Sequence, residues 1–220
     1  MRVRPKRLAF KLRSYGVPVK YVPDWDSARI DPYGGRSDFV GVVLHHTAGV
    51  DSLRYICYTN PYAPVRAAHF LVERDGTVRV CSGVGAYHAG KGGPWRFPKK
   101  GADVIVPRDQ GNSHLYGIEI ESLGTSRKID GSKEGMTVEQ VVSTALLSAA
   151  LLNAMRRGWR SWPVSRVIRH RDWTTRKIDV KQDIEWWHQV IGIARANKGE
   201  PVRAEALIRQ FVKEHPKGRV

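Results

Sequence analysis

Nowhere in this chain does an apolar run approach the roughly 20 residues needed to span a bilayer. Its basic start, Met1-Arg2-Val3-Arg4-Pro5-Lys6-Arg7, leads into no continuous apolar segment and no small-residue cleavage site, so it does not read as a secretion signal. Cysteine is nearly absent. Cys57 and Cys81 are too few for a disulfide-stapled scaffold, and neither belongs to a metal-binding Cys-x-x-Cys. The two could pair, but two buried free thiols are the expected state. Acidic residues are also scarce, 21 against 37 Lys and Arg, which leaves a formal net charge of +16. Such a charge attracts something anionic: nucleic acid, an acidic membrane or a phosphate-bearing cell envelope. The cations are scattered, and no helix-turn-helix, zinc finger or other nucleic-acid module accompanies them, so nucleic-acid recognition is not the expected task.

The sequence does carry a core. With 220 residues, 41% of them hydrophobic, and seven tryptophans, it suits one large domain with short appendages. Residues 1–38 form a basic extension, expected to pack on the domain through Trp25. Phe39 to Leu44 is an apolar run of strand length ending at His45-His46. His69 to Arg74 and Thr77 to Cys81 flank Asp75-Gly76, the signature of a tight hairpin. Lys91 to about His114 is rich in Gly, Pro and Lys and reads as a long loop. Leu115 to Glu121 alternates as a strand, with Glu119 and Glu121 on one side. Thr137 to Gln140 predicts a capping box opening a helix through Met155, with an apolar stripe and Gly158 as its stop. Pro163 to Arg169 predicts a short strand delivering His170. Helices are expected over Ile184–Ala196 and Pro201–Glu214.

Several of these elements end on residues with chemistry. Two histidines and an aspartate can hold one zinc ion and leave a position open for water. His45, at a strand end, is the first candidate; His46 must point to the opposite side and supports the neighbouring loop. His170 and Asp179 lie nine residues apart, too far for one helical face, so a loop must fold back to bring both to one ion. That loop carries Lys177 toward the site. Asp179 reads equally as the N-cap of the following helix, and Asp172 as a local turn former. If the three converge, Glu119 is the general base and Lys177 the partner of a developing oxyanion. Glu121 is left as a structural acid. His88, in a Gly-bounded loop, is expected to meet substrate. His69 serves either the core or the substrate groove, and Trp95 and Asn112 are groove-wall candidates by position.

The segments Val43-Leu44-His45-His46-Thr47-Ala48, Ala68-His69-Phe70-Leu71-Val72, His88-Ala89-Gly90, Gly117-Ile118-Glu119-Ile120-Glu121 and His170-Arg171-Asp172-Trp173 through Arg176-Lys177-Ile178-Asp179 occur in order. In that order they resemble the zinc N-acetylmuramoyl-L-alanine amidases of the type 2 amidase and peptidoglycan-recognition superfamily, especially phage endolysin catalytic domains. The resemblance covers about residues 38–190. It implies an α/β fold, a mixed central β-sheet flanked by helices with one Zn2+ in a groove on one face. It implies His45, His170 and Asp179 as ligands, Glu119 as base and Lys177 as oxyanion partner. Ala68 stands where some relatives place a catalytic tyrosine, which fits the branch that relies on the glutamate. Thr174-Thr175 and Val180 depart from the Pro-Gly and Pro found in many relatives around Asp179.

The function this implies is hydrolysis of the amide between N-acetylmuramic acid and L-alanine in peptidoglycan, as a phage endolysin for host lysis. Such a protein is made in the host cytoplasm without a signal peptide and acts at the bacterial cell wall, where its charge suits anionic envelope polymers. The alternatives are a cytoplasmic muropeptide-recycling amidase and a non-catalytic peptidoglycan-binding module. The expected division is the extension 1–38, a catalytic domain 39–196, and a short helical tail or linker 197–220.

Overall fold

The computed structural model describes residues 3–27, 38–58, 66–98, 103–155 and 162–220. Helix α1 (Pro5–Ser14), with Pro5 in its first turn, leads to strand β1 (Val19–Tyr21). Strand β2 (Gly41–His46) runs into helix α2 (Leu53–Cys57). Strands β3 (Phe70–Val72) and β4 (Val78–Val80) form the expected hairpin, its turn held by Gly76 at φ +85°. Strands β5 (Trp95–Phe97) and β6 (Val104–Val106) make a second antiparallel pair, followed by helix α3 (Gly111–His114) and strand β7 (Leu115–Ile120). Helix α4 (Val138–Ala154) comes next, then strand β8 (Val167–Arg169), helix α5 (His170–Trp173), helix α6 (Ile184–Ala196) and helix α7 (Pro201–Glu214).

Six strands form one sheet in the order β1-β4-β3-β7-β2-β8. The neighbours β3, β7, β2 and β8 run parallel, whereas β4 is antiparallel to β3, so the sheet is mixed. Alternation then sorts the side chains. Val42, Leu44, Tyr116, Ile118 and Val167 enter the main core beneath α4 and α6. Val43, Leu115 and Ile168 lie in a second core with Phe97, Val106 and Trp173, roofed by the β5–β6 pair. The sheet flanked by helices is the expected architecture.

Helix α4 explains the flanking segments. Its capping box is formed: the Thr137 hydroxyl accepts from the Gln140 N–H and the Gln140 side chain accepts from the Thr137 N–H. Every residue from Gln140 to Ala154 is buried, not only a stripe, because α1, α6 and α7 all pack on it. The C-terminal stretch is tied down further: the Trp186 indole donates to the His215 carbonyl at 3.2 Å and the Asp183 N–H to the Gly218 carbonyl at 2.8 Å. Trp25 anchors the N-terminal segment, its ring packed against Gly83.

Three expectations need correction. The 91–114 stretch is not structureless but holds β5, β6 and α3. The strand expected over 163–169 is a 3-10 turn, Val164–Arg166, followed by β8. Neither α1 nor β1 is legible in the sequence, since both are short and are fixed by contacts with distant elements. Cys57 and Cys81 are joined in a disulfide, with Cα atoms 4.8 Å apart, because α2 folds over the start of β3 and the end of β4. Gly158, the expected helix stop, lies outside the described residues.

Candidate active site

Three adjacent parallel strands end at one place, the usual location of chemistry in an α/β sheet. In β2 and β7, His45 is the register partner of Glu119. In β2 and β8, Leu44 pairs with Arg169, so His170 follows directly beside His45. Partners in parallel strands share a face, and the three side chains emerge together. Asp179 returns through the loop after α5, where its carbonyl accepts the Arg171 N–H at 2.8 Å. The N-cap position before α6 belongs to Asp183, leaving the Asp179 carboxylate for the site.

His45, His170 and Asp179 are buried, and their polar atoms converge. His45 Nδ1 lies 2.9 Å from His170 Nδ1, His170 Nδ1 lies 3.1 Å from Asp179 Oδ2, and His45 Nδ1 lies 3.5 Å from the same oxygen. Tetrahedral zinc with bonds near 2.0–2.1 Å separates its ligand atoms by about 3.3 Å, so the triangle has the right size.

The protons make the stronger argument. The Leu115 carbonyl can only accept, so His88 Nε2, 2.9 Å away, donates to it. Burial, then the neighbouring histidines, holds His88 well below the usual range, so its ring is neutral and Nδ1 is an acceptor. That nitrogen lies 3.0 Å from His45 Nε2, which therefore donates. His45 is itself kept neutral, pushed down to about 4 by burial first and the charge of His170 second. Its Nδ1 is then a bare lone pair. His170 Nε2 is 3.2 Å from the Ala89 carbonyl, which can only accept; the tautomer that donates there turns its Nδ1 lone pair inward as well. In that tautomer two lone pairs and a carboxylate meet, a donor set that fits a bound cation.

Glu119 stands beside this triad. Its Oε2 is shielded and has no hydrogen-bond partner among the described residues. Burial first and the charge of Asp179 second push its carboxyl up to about 8, with Lys177 opposing. The Lys177 side chain is exposed, yet near enough for its charge to act on both His45 and Glu119. Glu121 accepts backbone N–H groups from Ser52 at 2.8 Å and Arg74 at 3.3 Å, and so has structural work. Asp172 pairs with Arg169 within its own turn, at 2.8 Å. His46 faces away from the triad and packs its ring on Gly124.

The four expected groove residues separate. Trp95 lines a cleft of about 630 Å³ together with Trp173, Lys91, Arg108 and Arg176, beside the loop that carries Asp179. His69, His88 and Asn112 are buried and occupied: His69 Nδ1 accepts the Gly117 N–H at 3.0 Å, and Asn112 Oδ1 accepts the backbone N–H groups of His88 and Ala89. What sequence reasoning misses is the pairing of His88 with His45 and the use of the Ala89 carbonyl. One signal does exist: Gly117 in mid-strand marks a close approach, and a Cβ there would lie 2.3 Å from the His88 ring.

A profile of the N-acetylmuramoyl-L-alanine amidase family matches residues 35–182. No curated protein matches the sequence. Among solved structures, one similar chain is an endolysin N-acetylmuramoyl-L-alanine amidase from Clostridium intestinale URNW, 17% identical with a TM-score of 0.40, over 71% of this chain and 82% of that one. Another is the Ph2119 endolysin from Thermus scotoductus MAT2119 bacteriophage Ph2119, 18% identical with a TM-score of 0.44, over 82% of this chain and 98% of that one.

Proposed function

This chain belongs to the N-acetylmuramoyl-L-alanine amidase family, and from that premise we propose that it works as a zinc enzyme whose ligands are His45, His170 and Asp179. The reaction is cleavage of the peptidoglycan amide between N-acetylmuramic acid and L-alanine. The observation that carries the metal reading is the convergence of three lone-pair atoms, 2.9 to 3.5 Å apart, with both histidine protons directed elsewhere. Zinc held there supplies Lewis acidity for the scissile carbonyl and acidifies water toward a pKa of about 7.

The side chains divide the remaining work. Glu119 accepts a proton from the attacking water and passes it to the departing L-alanine amine. Its raised pKa suits a group that must both take and give a proton near neutrality. Lys177 places its ammonium by the carbonyl oxygen as negative charge builds there. Trp95 and the cleft it lines give the polymer a wall to lie against. His88 acts on His45 rather than on substrate.

The role we propose is that of a phage endolysin acting at the bacterial cell wall. The charge of +16 supports it, since attraction to an anionic envelope helps an enzyme whose substrate is a polymer there, whereas small soluble muropeptides need no such field. We assign residues 39–196 as the catalytic unit and the two flanking segments as the brace of α4. Digestion of purified peptidoglycan tests the reading. New L-alanine amino termini without new reducing ends are expected; binding to the wall without release would sink it in favour of a binding module.

A further inference from the structure

The two metal-site histidines are held by one dipeptide. The His88 ring fixes His45 and the Ala89 carbonyl fixes His170, by the contacts at 3.0 and 3.2 Å described above. This dipeptide lies in a stretch without helix or strand, so no ladder of backbone bonds sets its position. Its own two N–H groups go to a single atom: Asn112 Oδ1 accepts from His88 N at 2.9 Å and from Ala89 N at 2.8 Å. Asn112 is buried in the short helix α3, directly before β7. Two glycines make the room. A Cβ at Gly117 would strike the His88 ring at 2.3 Å, and one at Gly111 would strike the Ala89 methyl at 2.5 Å.

We propose that Asn112 is a positioning residue for the metal site, clamping His88-Ala89 so that both Nδ1 lone pairs are presented to one ion. Both hydrogen bonds of its Oδ1 go to the dipeptide and not to a ligand. It orients one link that sets the tautomer of both, so losing it loosens two ligands at once. Outer partners of this kind typically change metal affinity by about 10- to 100-fold. The inference rests on the zinc reading above.

The test is zinc affinity, by competition with a chromophoric chelator, together with the visible spectrum of the cobalt-substituted protein. The full chain is compared as wild type, Asn112→Ala, Asn112→Asp and Leu147→Ala. Asn112→Ala should bind zinc about 10- to 100-fold more weakly and shift the cobalt bands. Asn112→Asp keeps an acceptor oxygen at the same reach and should stay within a few-fold of wild type. Leu147→Ala, a core truncation in α4, controls for instability: it should lower thermal stability and leave affinity unchanged. Wild-type affinity in Asn112→Ala overturns the clamp, as does equal weakening in Leu147→Ala or failure of Asp to rescue. If wild type takes up no zinc, the metal reading falls and the clamp with it, and that pattern is distinct from a variant-specific result.

Discussion

His45 Nδ1 and His170 Nδ1 face each other across 2.9 Å, and each ring has an acceptor for its proton on the far side, His88 Nδ1 for one and the Ala89 carbonyl for the other. Such a pair repels unless something positive sits between and beside it. The sheet register places Glu119 next to His45, so the proposed base and the proposed cation site come from neighbouring strands of one sheet.

Replacing Glu119 by Gln separates chemistry from stability. Loss of a general base typically costs about 10²- to 10⁴-fold in rate, and Glu119→Gln should lose that much kcat while retaining zinc. In the metal-free protein its folded pKa of about 8 exceeds its ordinary 4.5. Its contribution to stability is therefore fully present below pH 4.5 and lost as pH rises through 8. Metal-free Glu119→Gln should melt higher than metal-free wild type at pH 9, and by less at pH 5. Calorimetry at the two pH values checks this.

Lys177→Ala should lower kcat by about 10²- to 10³-fold, the usual cost of removing an oxyanion partner. Because Lys177 lies on the exposed side of the loop, zinc affinity and melting temperature should stay at wild-type values. Steady-state kinetics with a soluble muropeptide, alongside zinc titration, distinguish this from a ligand defect.

His69 links the fold to acid. Burial first and the charge of His45 second push it down to about 3 from an ordinary 6.5. Above pH 6.5 neither state holds the proton. Between 6.5 and 3 the unfolded chain binds it and the fold does not, so stability falls as pH falls through that window. His69→Asn retains an acceptor for the Gly117 N–H but cannot titrate. Its unfolding free energy, from denaturant titrations between pH 7 and 4, should decline less steeply than that of wild type.

The Cys57–Cys81 bond closes a loop between residues separated by 24 positions. Restricting the unfolded chain over such a loop is worth on the order of 3 kcal/mol. Urea unfolding with and without reductant should differ by about that amount, and Cys57→Ser should show the reduced value under both conditions.

Much of the site is legible in the sequence because its residues sit where regular elements stop. The apolar run before His45, the alternation around Glu119 and the strand before His170 each predict where a side chain emerges. Asp179 is harder, since the loop that returns it has no periodicity, and position alone leaves it balanced with an N-cap. The helix over 138–154 announces itself by Thr137 and Gln140, but its burial on all sides does not, because α1 and α7 come from the two ends of the chain. Cys57 and Cys81 meet only once α2 lies on the sheet. His88 reads as a substrate contact from its glycine-bounded loop; its contacts with His45 and the Leu115 carbonyl depend on the space above Gly117.

The most direct measurement is zinc content and wall digestion followed together through removal and return of the metal. Wild type should hold about one zinc, stop releasing L-alanine amino termini when a chelator strips it, and resume when zinc alone is restored. Asp179→Ala should hold little zinc and remain inactive. Full release of L-alanine from wild-type protein freed of metal, or undiminished zinc binding in Asp179→Ala, would contradict the site assigned to His45, His170 and Asp179.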